Sequence, residues 1–120
     1  MKSEELKRRT NEFAHRCVKL AVALPNTQLG KHLRGQLIRC STSVASNHRA
    51  ACIAQSKASF ISKLSIVIEE ADESHFWLEF IIDESLLKNH LVEPLLKEAD
   101  ELTAIFIASR KTARKDRNDQ

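Results

Sequence analysis

Between Phe60 and Ser85 the chain sets an apolar or small side chain at alternating steps of four and three: Phe60, Leu64, Val67, Ala71, Ser74, Leu78, Ile81 and Ser85. That alternation draws one stripe along an α-helix, whereas a strand would need a period of two. A flanking column of Ile61, Ile68, His75 and Ile82 widens the stripe into a face able to touch two neighbours. With Ser56 as N-cap, the pattern predicts a helix over 57–88, about 48 Å long at roughly 1.5 Å per residue. A helix of that length with two apolar columns needs other helices to cover it.

Three further segments supply them. Residues 3–24 carry the seam Leu6, Thr10, Phe13, Cys17, Leu20 and Leu24, closed by Pro25 and Asn26. Residues 28–53 start behind Thr27 as N-cap and carry Leu33, Leu37, Cys40, Val44, Asn47 and Ala51. Gly35 inside this helix costs about 1 kcal/mol relative to Ala, and either allows a close approach or is merely tolerated. Residues 93–112 carry Leu95, Ala99, Leu102 and Phe106, with Pro94 in the first turn and Glu93 at the positive helix end. Short connections between long helices predict an all-α, antiparallel up-down-up-down four-helix bundle over residues 1–112. The basic, polar segment 113–120 is expected to fray. Two Gly and two Pro are too few for the many tight turns of an all-β chain.

No apolar run reaches the roughly 20 residues that span a bilayer, so no membrane partner is expected. The start, Met1 to Arg9, lacks an apolar signal region, and Cys17, Cys40 and Cys52 are odd in number and widely spaced. Both features point to reduced thiols in a cytoplasmic protein.

The chemistry-bearing residues do not assemble into a catalytic or metal-binding pattern. Glu12 and His15 have the Glu-x-x-His spacing of di-metal bundles, but no second copy exists, so no metal or other cofactor is expected. No phosphate loop and no nucleophile with base and orienting group can be traced, which disfavours an enzyme. Helix two carries a polar column, Gln36, Arg39, Ser43 and Asn47, facing Lys63 and Glu70 of helix three. These residues form either hydrogen-bonded pairs that set register or a binding groove.

Charge is strongly segregated. Residues 1–63 hold 12 Lys and Arg against three acids, and residues 64–108 hold two against 11. Phe76, Phe80 and Leu87, with Glu69, Glu73 and Asp83, fall on the back of helix three, a candidate interface with another copy. Acids there would meet the basic half of a neighbour, a heterologous contact that closes into a ring. The surface left over is enriched in Lys7, Arg8, Arg9, Arg16, Lys19, Lys31 and Arg34, candidates for contact with RNA or DNA phosphates. The rival reading is a scaffold for a protein partner.

Two stretches resemble a known family. One runs from Gln36 to Cys52 and contains Asn47-His48-Arg49-Ala50-Ala51; the other includes Ser56 to Leu64 and then Glu69-Glu70-Ala71-Asp72-Glu73-Ser74-His75-Phe76-Trp77-Leu78-Glu79. They resemble the four-helix-bundle proteins encoded in intervening sequences of bacterial 23S ribosomal RNA genes. Many members read Ile-Ala-Glu-Gly after the Asn, where this chain has His48-Arg49-Ala50-Ala51, as in a divergent branch. The resemblance implies a ring, typically a homopentamer. It also implies a distant likeness to the nucleic-acid-engaging accessory variability determinant of diversity-generating retroelements. It implies no catalytic residues.

Overall fold

The computed structural model describes residues 3–118 and contains four helices: α1 (Ser3–Val22), α2 (Gln28–Cys52), α3 (Lys57–Asp83) and α4 (Asn89–Asn118). No strand occurs among the described residues. α1 packs on α2, α2 on α3 and α3 on α4, and a sparser contact between α1 and α4 closes the bundle. The result is an antiparallel four-helix bundle about 52 Å long and 20 Å across.

The predicted seams form the core. Leu6, Thr10, Phe13, Cys17, Leu20 and Leu24 are buried, as are Leu64, Val67, Ala71, Ser74, Leu78 and Ile81. Leu33, Leu37, Cys40 and Val44 continue that core from α2, and Val92, Leu95, Ala99, Leu102 and Phe106 from α4. One step of the α2 seam shifts. His48, not Asn47, turns inward at 4% exposure, while Asn47 stays half-buried and bonds back to Ser43. Both positions follow Val44 by a permitted step, and packing against the Phe106 ring selects the imidazole.

The helix ends differ more from expectation than the helix faces. α1 stops at Val22, and Arg34 of α2 then donates to the carbonyls of Ala21 at 3.3 Å and Leu24 at 2.9 Å, capping the free end of α1. Thr27 and Ser56 act as N-caps, each hydroxyl accepting from the backbone N–H three residues on. α3 ends five residues before the predicted position 88, with Ser85 in the left-handed region at φ 53°. There Leu86 N–H reaches the Ile81 carbonyl at 3.0 Å, and Ser85 N–H reaches the Ile82 carbonyl at 2.9 Å. This is a Schellman ending with Ser where Gly is usual, and Leu86 packs back onto the core.

α4 is longer at both ends than the expected 93–112. It begins at Asn89, so Pro94 lies inside it and denies a donor to the His90 carbonyl, which sits at an exposed position. It continues to Asn118 because Ala113, 4% exposed, still packs against the bundle. The expected frayed tail is helical as far as Asn118; Asp119 and Gln120, like Met1 and Lys2, lie outside the described residues.

Candidate nucleic-acid interface

The candidate basic residues do not share one fate. Arg9 is drawn into the seam between α1 and α4, donating to Glu98 through Nε at 3.1 Å and to Glu101 through Nη2 at 3.2 Å. Its hydrogen bonds to Glu98 hold its pKa above the ordinary arginine value, against the opposing effect of burial. Arg34 is consumed by the α1 cap described above. Both therefore serve the fold and leave the candidate phosphate-binding surface, because each sits where two helices converge. Lys7 and Arg8 pair along their own helix with Glu4 at 3.1 Å and Glu12 at 3.0 Å. Arg16, Lys19 and Lys31 are exposed and, among the described residues, have no ion-pair partner.

Arg49 belongs with this exposed group but lay outside the sequence-derived set. It is exposed and unpaired among the described residues, and it lines a furrow between α1 and α2 together with Lys7, Arg8 and Asn11. A helical-wheel count puts it about 140° from the core residue Val44, so its exposure is legible in the spacing while its nearness to α1 is not.

The polar column of α2 splits into two separate sets. Arg39 bridges to Gln36 at 3.1 Å, to Glu70 at 3.3 Å and to Glu73, tying α2 to α3. Burial raises the pKa of Glu70, while neighbouring Arg39 opposes the shift. Asn47 donates to the Ser43 carbonyl and hydroxyl within α2, and Lys63 joins neither set. The column is thus a pair of structural contacts rather than a continuous groove.

The proposed outer face of α3 is also rearranged. Glu73 faces α2, accepting from Arg39 and from Trp77 Nε1 at 3.0 Å. Phe80 is half-buried within an aromatic group, its centroid 6.2 Å from Trp77 and 6.0 Å from Phe76. His32 meets the other side of Trp77 edge-on at 5.6 Å. Leu87 falls in the loop beyond the Schellman ending and packs against the core. Of the apolar candidates, only Phe76 remains strongly exposed, at 50%, with Glu69 and Asp83 exposed on the same helix.

A second hollow opens at the end of the bundle where the α2–α3 loop lies, lined by Leu6, His48, Cys52, Phe60, Leu64 and Phe106 among others. Cys52 Sγ stands 3.6 Å from His48 Nε2, while His48 Nδ1 is buried without a hydrogen-bond partner among the described residues. Burial raises the Cys52 thiol and lowers the His48 imidazole, so the pair stays neutral and is not an ionised thiolate–imidazolium couple. Among the described residues no three His, Cys, Asp or Glu converge as metal ligands, and Glu12 and His15 gain no further partners there. No described helix is long and apolar enough to cross a membrane.

With this geometry in hand, the family profile of the 23S rRNA-intervening sequence proteins matches residues 2–108. The chain belongs to that family. The bundle is also similar to a crystal structure from Bacteroides thetaiotaomicron, a protein of unknown function from the S23 ribosomal protein family. The two share 35% sequence identity and superpose with a TM-score of 0.85, covering 92% of this chain and 99% of that one. No curated protein matches the chain. For this intervening-sequence family member, the matched span reaches from the first residues of α1 into α4, so the family pattern is the pattern of the whole bundle.

Proposed function

We propose that this intervening-sequence protein is a cytoplasmic, non-enzymatic accessory factor that holds RNA or DNA by its phosphates, without strong sequence preference, as a cyclic homo-oligomer, most simply a pentamer. The observation that carries the nucleic-acid part is the fate of the charges. Arg16, Lys19, Lys31 and Arg49 stand exposed and unpaired on α1 and α2 among the described residues, while Glu70, Glu73, Glu98 and Glu101 are occupied by Arg39 and Arg9. Unpaired surface cations are the groups that release counter-ions when they meet a phosphate backbone.

The test is fluorescence anisotropy with labelled RNA and DNA of mixed sequence over a salt series. Affinity should fall steeply and linearly on a double logarithmic scale, with similar values for unrelated sequences. Absent binding at low salt, or binding indifferent to salt, would reject the reading. Light scattering after size exclusion tests the assembly, and a monomer at micromolar concentration would reject the ring.

A protein-interaction scaffold is favoured by a different observation. Phe76 is half exposed and backed by Trp77, with ring centroids 4.9 Å apart, so a rigid aromatic faces outward beside Glu69 and Asp83. Replacing Phe76 by Asp should abolish self-association or partner capture on that reading and leave phosphate binding intact.

A further inference from the structure

In the furrow between α1 and α2 the exposed, unpaired Arg49 meets Lys7 and Arg8. Two adjoining hollows run along it and share Asn11, Ala45 and Arg49. Ala14 and Ala45 keep its floor low, and its rim carries the cations Lys7, Arg8 and Arg49, the acid Glu4, and Asn11. Lys31 precedes Arg49 by 18 residues, which is five full turns at 3.6 residues per turn. The two cations therefore stand on one line of α2, about 27 Å apart at roughly 1.5 Å per residue.

The charges along this furrow are available. Arg49 has no ion-pair partner among the described residues, and the Lys7–Glu4 and Arg8–Glu12 pairs are largely exposed. Solvent-exposed pairs of this spacing are weak, so a phosphate can displace the carboxylates. Asn11 adds a neutral hydrogen-bond donor between the cations, whereas the Thr42 and Ser46 hydroxyls already donate to the carbonyls of Ile38 and Ser43. His15 is the only ring along the furrow among the described residues, so the lining suits a sugar–phosphate chain better than stacked bases. The axes of packed helices stand about 8–10 Å apart and side chains fill most of that span, so the furrow admits one backbone and not the body of a duplex.

We propose that the α1–α2 furrow seats the phosphodiester backbone of a single nucleic-acid strand, with Arg49 as its central cation. This inference rests on the nucleic-acid reading above and adds to it a location, a strand state and a residue.

The experiment measures anisotropy of a labelled oligouridylate, and of a hairpin duplex of equal length, against the full chain at low salt. Arg49→Glu should weaken single-strand binding tenfold or more. Ala45→Trp leaves the charge unchanged but fills the floor, and should weaken it by a similar factor. Lys97→Glu makes the same charge change on exposed α4 and should cost less than threefold. Circular dichroism establishes that each variant is folded, and Arg49→Lys should restore most of the affinity. Should Lys97→Glu lose as much as Arg49→Glu, or Ala45→Trp bind like the parent, the strand lies elsewhere and the broader reading survives. Preference for the hairpin would overturn the single-strand assignment, and no binding by the parent would end both.

Discussion

Arg9 on α1 grips Glu98 on α4 with two donors, Nε at 3.1 Å from Oε2 and Nη2 on Oε1, 89 residues apart in the chain. This fork spans the sparsest of the four helix–helix seams, with side-chain exposures of 18% and 16%. Removing the guanidinium leaves Glu98 partly buried without its partner. Arg9→Gln should therefore cost about 1–3 kcal/mol in chemical denaturation, while binding of any polyanion by the folded fraction stays unchanged. A stability-neutral variant that loses polyanion binding would return Arg9 to the phosphate-contacting set.

The three thiols should differ sharply in reactivity. Burial raises Cys17 well above the ordinary thiol range and pushes Cys40 up to about 11, where the Ser74 hydroxyl donates to its sulfur at 3.2 Å. Cys52 is half-buried at the rim of the end hollow. A thiol reagent at neutral pH should label Cys52 first in the native protein, with Cys17 and Cys40 reacting only on unfolding. Mass spectrometry of the labelled peptides reads the order directly, and early modification of Cys17 would contradict it.

Backbone chemistry makes one substitution destabilising and two stabilising. A Cβ on Gly30 would lie 1.9 Å from the Pro25 carbonyl oxygen, a backbone atom that cannot swing aside. Gly30→Ala should cost about 1–3 kcal/mol. Gly35 has nothing within 4 Å of its would-be Cβ, so Gly35→Ala should gain up to about 1 kcal/mol. Ser85→Gly relieves the left-handed φ of 53° and should also gain about 1 kcal/mol. Urea midpoints that fail to rank Gly30→Ala below the other two would disprove this account of the turns.

His48 makes stability depend on pH. Burial, helped by Lys7, lowers its pKa from the ordinary 6.5, so in mild acid the unfolded chain binds the proton that the folded chain refuses. The stability it allows is complete above about pH 6.5 and is lost as pH falls through the lowered folded value. The thermal unfolding temperature should thus fall as the pH drops below about 6.5. His48→Leu, which fills the site beside Phe106 without a titrating group, should flatten that slope. An unchanged slope in the variant would assign the effect to other groups.

The faces of the helices were readable because a three-four repeat has few solutions. Every core position assigned to α1 is buried, and so is the α3 seam from Leu64 to Ile81. The helix ends were less readable. Nothing in the apolar pattern marks the stop after Asp83, since Ser85 supplies a left-handed residue without the glycine that usually signals one. The candidate site was readable only as a charge sum. Which cations face solvent depends on partners far away in sequence, and Arg9 and Arg34 were claimed by Glu98 and by the carbonyls closing α1.

By itself the sequence determined the number of helices, the stripe each one buries and the family to which they belong, because local periodicity and composition dictate those. Tertiary structure alone decided the use of the segregated charge. The bundle closes α2 on α3 and α1 on α4, so basic and acidic halves meet within one chain through Arg39 with Glu70 and Glu73, and through Arg9 with Glu98 and Glu101. Ion pairing acts over a few ångströms and takes no account of sequence separation. Once those pairs form, Arg16, Lys19, Lys31 and Arg49 are left as exposed cations without ion pairs on α1 and α2 among the described residues.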